Sequence, residues 1–244
     1  MPTFAVRCLE RVIRHRSTIG DSAFFTPDVF PWAVTLENNW QAIRGELDQL
    51  LARRDDLPNF QDISEEQRDL TADANWKTYF FAAYGVRFAR NTDRCPCTTE
   101  LLNGIDGLET AFFSILGPGK HLPEHRGPYN GVIRYHLGLK IPSPATDCGI
   151  TVRGETAHWE EGKSLVFDDS YPHEAWNRTG EDRVVLFLDI RRPLPFPYSA
   201  LNQRVIRRIG KSPFIQKAEA KHAAWEKGFD AAPGPEKPCP PTTR

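Results

Sequence analysis

Apolar residues change their spacing twice along the chain. Residues 4–16 (FAVRCLERVIRHR) put Val6, Leu9, Val12 and Ile13 near one helical face and Arg7, Arg11 and Arg14 elsewhere, the period of an amphipathic helix. A basic helix of this kind packs on a core or rests on an anionic membrane surface, and its shortness favours packing. Leu36, Trp40, Ile43, Leu47 and Leu50 then recur at spacings of three and four until Asp55, Asp56 and Pro58, predicting a second helix on the outside of the core. From residue 108 onward, short runs of Val, Ile, Phe and Leu alternate with Gly, Pro, Asn and Asp clusters, the texture of antiparallel β-structure. The predicted strands are 110–116, 131–139, 148–153, 164–168 and 183–190. Strands in this number predict a jelly-roll or related barrel, whose mouth commonly holds the ligand. Beyond Pro193 the pattern is helical again, with Leu201, Val205 and Ile209 at four-residue spacing and a further helix through Trp225.

Composition narrows the partners. The 244 residues are 40% apolar and 26% charged with a net charge of −1, so the chain has no basic excess for phosphates and nucleic acid is not an expected partner. No apolar stretch approaches the roughly 20 residues that cross a bilayer, and Arg or Glu interrupts every apolar patch of residues 1–20; neither a membrane span nor a signal peptide is expected, which leaves the cytoplasm. Cys8, Cys95, Cys97, Cys148 and Cys239 are odd in number and lack paired CxxC motifs, so they read as free thiols. Cys95 and Cys97 are too close for a good redox or metal pair.

Histidines carry the candidate chemistry. His15 and His222 lie in charged helical segments and His158 beside Trp159 in an apparent hairpin, which makes them surface or structural. His125 opens the turn-like HRGPYN after the strand ending at Leu116, and His173 follows the strand SLVFD within DDSYPHEAW. Two neutral imidazoles at the ends of different strands suit a non-haem iron(II), which takes borderline ligands and keeps other positions open. Between them, alternation in Val132–Leu139 puts Arg134 and His136 on one face and Ile133, Tyr135, Leu137 and Leu139 on the other. Arg183 likewise shares a face with Val185 and Phe187. Cations on the inner face of apolar strands are costly without an anion. A bound dicarboxylate meets that need; Asp or Glu partners at the strand ends meet it equally.

The run SILGPGKHLPEHRGPYNGVIRYHLGL from Ser114 to Leu139, followed by WEEGKSLVFDDSYPHEAW and Arg183, resembles the aspartyl/asparaginyl β-hydroxylase family of iron(II)/2-oxoglutarate-dependent dioxygenases, over about residues 75–195. The resemblance implies a mainly β fold, a double-stranded β-helix (jelly-roll, cupin-like) core with flanking N- and C-terminal helices. With the helical spacings at either end, it predicts a helical extension at 1–60, a catalytic domain at 61–195 and C-terminal helices at 196–230, and residues 231–244 are rich enough in Pro to be expected as a disordered tail. It also implies that His125 and His173 bind Fe(II), and that Ser114, Arg134, His136 and Arg183 anchor the cosubstrate 2-oxoglutarate, with His125, His173 and Arg183 forming the catalytic set. The third position of the usual iron triad, two residues after the first His, is Gly127, so water is expected there, ahead of Glu124 or a halide. Asp168, Asp169 and Glu174 flank His173 and are candidates to orient its imidazole; Asp168 and Asp169 equally suit a plain turn.

The expected reaction is hydroxylation of an unactivated carbon by dioxygen with conversion of 2-oxoglutarate to succinate. The expected substrate is an Asp- or Asn-type amino acid or peptide residue. A lipid acyl chain is the alternative, because WKTYFFAAYG, CPCTTELLNGIDGLETAFFSILGPG and the basic N-terminal helix resemble the lipid-hydroxylating bacterial branch, although that branch carries HRDP where this chain has HRGP. A non-catalytic cupin-like binding protein, or a module whose helical ends bind a protein partner, is the competing class. Membrane contact, where there is any, is expected to be peripheral and through residues 4–16.

Overall fold

The computed structural model describes residues 4–64 and 70–229. The Pro-rich tail expected at 231–244, with Cys239, lies outside the described residues. Helix α1 (Phe4–Arg16) and strand β1 (Phe24–Phe25) come first, followed by helices α2 (Ala33–Asn38), α3 (Trp40–Leu51) and α4 (Phe60–Ile63). The single helix expected over 36–50 is broken at Asn39, whose side-chain amide donates to the Thr35 carbonyl and ends α2. Next come β2 (Trp76–Ala83), β3 (Val86–Arg87), α5 (Ala89–Arg94) and α6 (Pro96–Asn103). The barrel strands are β4 (Leu108–Leu116), β5 (His121–His125), β6 (Val132–Lys140), β7 (Cys148–Val152), β8 (Glu155–His158), β9 (Ser164–Phe167), β10 (His173–Asn177) and β11 (Arg183–Arg191). Helices α7 (Tyr198–Gly210) and α8 (Pro213–Phe229) complete the described chain.

Two antiparallel sheets face each other. The seven-stranded sheet runs β1-β9-β6-β11-β4-β2-β3 and the four-stranded sheet β5-β10-β7-β8. The chain passes from one sheet to the other between β4, β5, β6 and the β7–β8 hairpin, and again between β9, β10 and β11, which winds the expected double-stranded β-helix. Arg153 and Gly154, both at positive φ, make the two-residue turn of the β7–β8 hairpin, the mirror-image turn type that suits strand twist.

Alternation assigns the two faces of the large sheet. Ile133, Tyr135, Leu137 and Leu139 point outward with Leu186 and Leu188, and are buried beneath Leu36, Ile43 and Leu47 of α2 and α3. Each such side chain stabilises the fold by roughly 1.5–3 kcal/mol. The opposite face packs Phe112, Val185, Phe187 and Phe167 against Leu122, Ile150 and Val152 of the small sheet. Six strands escape prediction, β1 and β3 because two residues are too few to show a period. β2 is buried on both faces from Trp76 to Phe81 and so does not alternate. β5 is an edge strand with Pro123 in it, β8 an exposed edge, and β10 a short polar-looking strand. One thiol expectation also changes: Cys8, Cys95 and Cys148 are free, but Cys97 is disulfide-bonded.

Candidate active site

His125 ends β5 and His173 begins β10, and the two are direct partners across the antiparallel pair. Their ring centroids lie 4.1 Å apart. His125 Nδ1 donates to the Pro123 carbonyl at 2.7 Å and His173 Nδ1 to the Tyr171 carbonyl at 2.9 Å. Each backbone acceptor fixes a tautomer with the proton on Nδ1, leaving Nε2 a bare lone pair. Burial lowers both pKa values, that of His173 to about 3 with help from His125 and Arg134. The pair is therefore neutral at physiological pH, the form that ligates a metal. Among the described residues no group of three His, Cys, Asp or Glu is assembled for a metal, so a metal here would have two imidazoles and open positions.

Position 127 explains the missing third ligand. The Gly127 amide donates to the Asp169 carbonyl at 2.7 Å, and a Cβ on Gly127 would stand 2.0 Å from Asp169 Oδ2. Asp169 thus fills the space a ligand at 127 would use. Its carboxyl is pushed up by burial, against the pull of Arg134. Glu124 is exposed, and as the neighbour of His125 in an extended strand it projects to the opposite face. Neither Asp168 nor Glu174 orients His173 with its side chain: Asp168 pairs with buried Arg192, and Glu174 with His121.

A second cluster lies deeper on the inner face. Arg183 is 2% exposed, its Nε and Nη1 have no hydrogen-bond partner, and its guanidinium lies 4.3 Å over the Trp159 ring. Its polar neighbour is the Cys148 thiol, and burial lowers its pKa to about 10. His136 Nδ1 accepts from Trp159 Nε1 at 3.2 Å, which puts its proton on Nε2, and that buried atom has no partner. Ser114 Oγ accepts from Trp76 Nε1 at 3.1 Å, keeping its own proton available to donate. Phe167 bridges to the metal candidates, with ring contacts to both His136 and His173. Buried donors without acceptors are costly, and a carboxylate is the ligand that satisfies a guanidinium, an imidazole N–H and a hydroxyl together. Arg134, expected in this group, instead pairs with Asp169 at 2.8 Å and Asp189 at 3.1 Å and lies over Phe187.

A cavity of about 420 Å³ opens beside His125. Phe60, Ile63, Phe80, Phe88, Phe112 and Phe187 form much of its wall, Phe214, Ile215 and Ala218 of α8 add to it, and Arg126, Arg134, Asp169, Asp189 and Glu219 supply its charges.

Comparison with known proteins shows the family. The profile of the aspartyl/asparaginyl β-hydroxylase family matches residues 37–193. The chain belongs to that family. This hydroxylase is 46% identical over 213 residues to the ornithine lipid ester-linked acyl 2-hydroxylase of Rhizobium tropici, covering 87% of this chain and 76% of that one. It is 34% identical over 164 residues to human aspartyl/asparaginyl beta-hydroxylase, covering 65% of this chain but only 21% of that much longer protein. Among solved structures, a viral collagen prolyl hydroxylase from Paramecium bursaria Chlorella virus-1 aligns over 49% of this hydroxylase and 80% of its own chain, at 14% identity and a TM-score of 0.34, too slight a likeness to argue from. Sequence reading missed Trp76 and Trp159, which hold Ser114 and His136, and Asp189, which holds Arg134. These partners come from other strands or from outside the barrel strands, so no local spacing announces them.

Proposed function

We propose that this hydroxylase uses iron(II) and 2-oxoglutarate to hydroxylate the acyl chain of a lipid, close to its ester. The observation that carries the substrate is the cavity beside His125, whose wall is mostly aromatic and aliphatic; such a wall suits a hydrocarbon chain better than a peptide backbone with its polar groups. The identity with the Rhizobium tropici lipid hydroxylase supports the same reading. In it His125 and His173 hold the iron through Nε2. Arg183, His136 and Ser114 bind a carboxylate of 2-oxoglutarate, and Arg134 positions Asp169 beside Gly127. Bound iron with 2-oxoglutarate and dioxygen supplies the oxidising power that turns C–H into C–OH, releasing succinate and carbon dioxide. The protein's own work is to hold the acyl carbon near the His pair and to keep water out with the phenylalanine wall. A cytoplasmic location fits this reading, and no helix of the described residues is long and apolar enough to cross a membrane.

An Asp- or Asn-type amino acid or peptide residue is the second reading, favoured by the charged part of the cavity, where Arg126, Arg134, Asp169, Asp189 and Glu219 can meet polar substrate groups. Anaerobic titration of the iron(II)-loaded protein with 2-oxoglutarate tests the cofactor half through the visible charge-transfer band of the chelate. The band is expected in the wild type and absent in His125→Ala. Arg183→Met is expected to need roughly tenfold or more 2-oxoglutarate, since a charge-assisted hydrogen bond contributes about 1.5–3 kcal/mol. Iron bound without a band would sink the dioxygenase reading in favour of a binding protein. Succinate release stimulated by acyl lipids and not by peptides is expected; the reverse preference would replace the lipid by the second reading.

A further inference from the structure

Two amphipathic helices meet beside the cavity. α1 and α7 pack together through Ile13 and Ile206 with Tyr129 and Val132, so α1 is a packed helix. Their outward faces nevertheless expose Arg7, Arg11, Arg16, Arg204, Arg207 and Arg208. α7 contains no acidic residue, and the single acid of α1, Glu10, is buried and paired with Arg126 at 2.7 Å. In a chain of net charge −1 this is a segregated cationic face, whereas a surface that serves only solubility intersperses both signs. Exposed apolar side chains belong to the same two helices, Leu201 at 44% and Val12 at 41%, and Phe196, two residues before α7, is 84% exposed, next to the Tyr198 ring over which Arg16 lies. Cations around an exposed aromatic complement an anionic interface that also has an apolar interior.

The same face adjoins the cavity. Arg126, held by Glu10, lines it. Gly210 at the end of α7 abuts the backbone of Tyr84, another lining residue, so closely that a Cβ would meet the Tyr84 carbonyl oxygen at 2.3 Å. α8 starts three residues later and contributes Phe214 and Ile215 to the wall.

We infer that the α1–α7 face, with Phe196 as its apolar wedge, docks on an anionic phospholipid bilayer and sets the cavity where an acyl chain can enter. The inference deepens the lipid reading, but its test needs no turnover. The protein is sedimented with vesicles of phosphatidylcholine alone or mixed with phosphatidylglycerol, beside the triple variant Arg204→Glu/Arg207→Glu/Arg208→Glu and the single variant Phe196→Ser. Thermal melting and the 2-oxoglutarate band serve as folding checks. Binding is expected only with phosphatidylglycerol, weakening as salt rises. The triple variant is expected to bind about a hundredfold or more weakly, and Phe196→Ser roughly tenfold more weakly. Should the triple variant fail to fold, Phe196→Ser, altered at a solvent-facing side chain, carries the test. No binding, equal binding to phosphatidylcholine alone, or undiminished binding by folded variants would overturn the docking surface. Docking without lipid-stimulated succinate release would overturn the substrate reading and leave the docking surface standing.

Discussion

At position 127 a side chain has nowhere to go, because the Asp169 carboxylate occupies the volume its Cβ would enter. Replacing the glycine by aspartate to rebuild a three-ligand iron site is therefore expected to fail. Gly127→Ala alone should cost about 1–3 kcal/mol by overpacking, and Gly127→Asp more, since it sets a second carboxylate against a buried one. The cost of Gly127→Ala should shrink in an Asp169→Gly background. Urea denaturation of the two single variants and the double variant measures the coupling; equal costs in both backgrounds would mean that something other than Asp169 excludes a side chain there. The glycine itself was legible in the sequence as a departure from the usual triad, but its cause was not, because Asp169 is 42 positions away by its number and meets it only through the fold. Arg134 teaches the same lesson: alternation put it on the inner face, while the choice between a bound anion and protein carboxylates rested on Asp169 and Asp189, which the folded chain delivers.

Strands were legible where a polar residue interrupts an apolar run. β6 and β11 are buried on both faces, yet Arg134, His136 and Arg183 marked their inner face. Helix α8 shows the limit: its charged sequence left His222 open between a surface and a structural reading, and the fold decides for the structural one, since Ile215, His222 and Phe229 form a buried stripe and His222 is fully buried. Its Nε2 contacts Asn91 Nδ2 at 3.2 Å and its ring packs on Phe88. Burial lowers its pKa from 6.5 to about 4. Folded His222 thus refuses a proton that the unfolded chain accepts, so the unfolded state binds more protons between these values and stability falls as pH drops from about 6.5 toward 4. Other buried histidines contribute to the same slope, so the comparison is with His222→Gln. The urea midpoint of the wild type should decline more steeply than that of the variant across this window; parallel declines would remove His222 from the linkage.

For the whole molecule, the cavity joins parts that no sequence window contains. β2, β4 and β11 supply its floor through Phe80, Phe112 and Phe187, while α4 and α8, far apart in the chain, supply Phe60, Ile63, Phe214 and Ile215. The barrel could be expected from strand texture, but this wall could not, since its helices carry no pattern that points them at one another. That separation gives a way to test substrate against cosubstrate. Ala218 lines the cavity from α8, on an element that contributes nothing to the Arg183, His136 and Ser114 cluster. Ala218→Trp should fill part of the roughly 420 Å³ and cut succinate release from long-chain acyl lipid by about tenfold or more, as misplacement of a reacting carbon does. The 2-oxoglutarate titration of the same variant should be unchanged, and a lipid with a shortened acyl chain should lose less activity than the long one. Equal losses for both chain lengths would mean that the acyl chain does not run along α8, and a shifted 2-oxoglutarate titration would mean that the cavity and the anion cluster are one site rather than two.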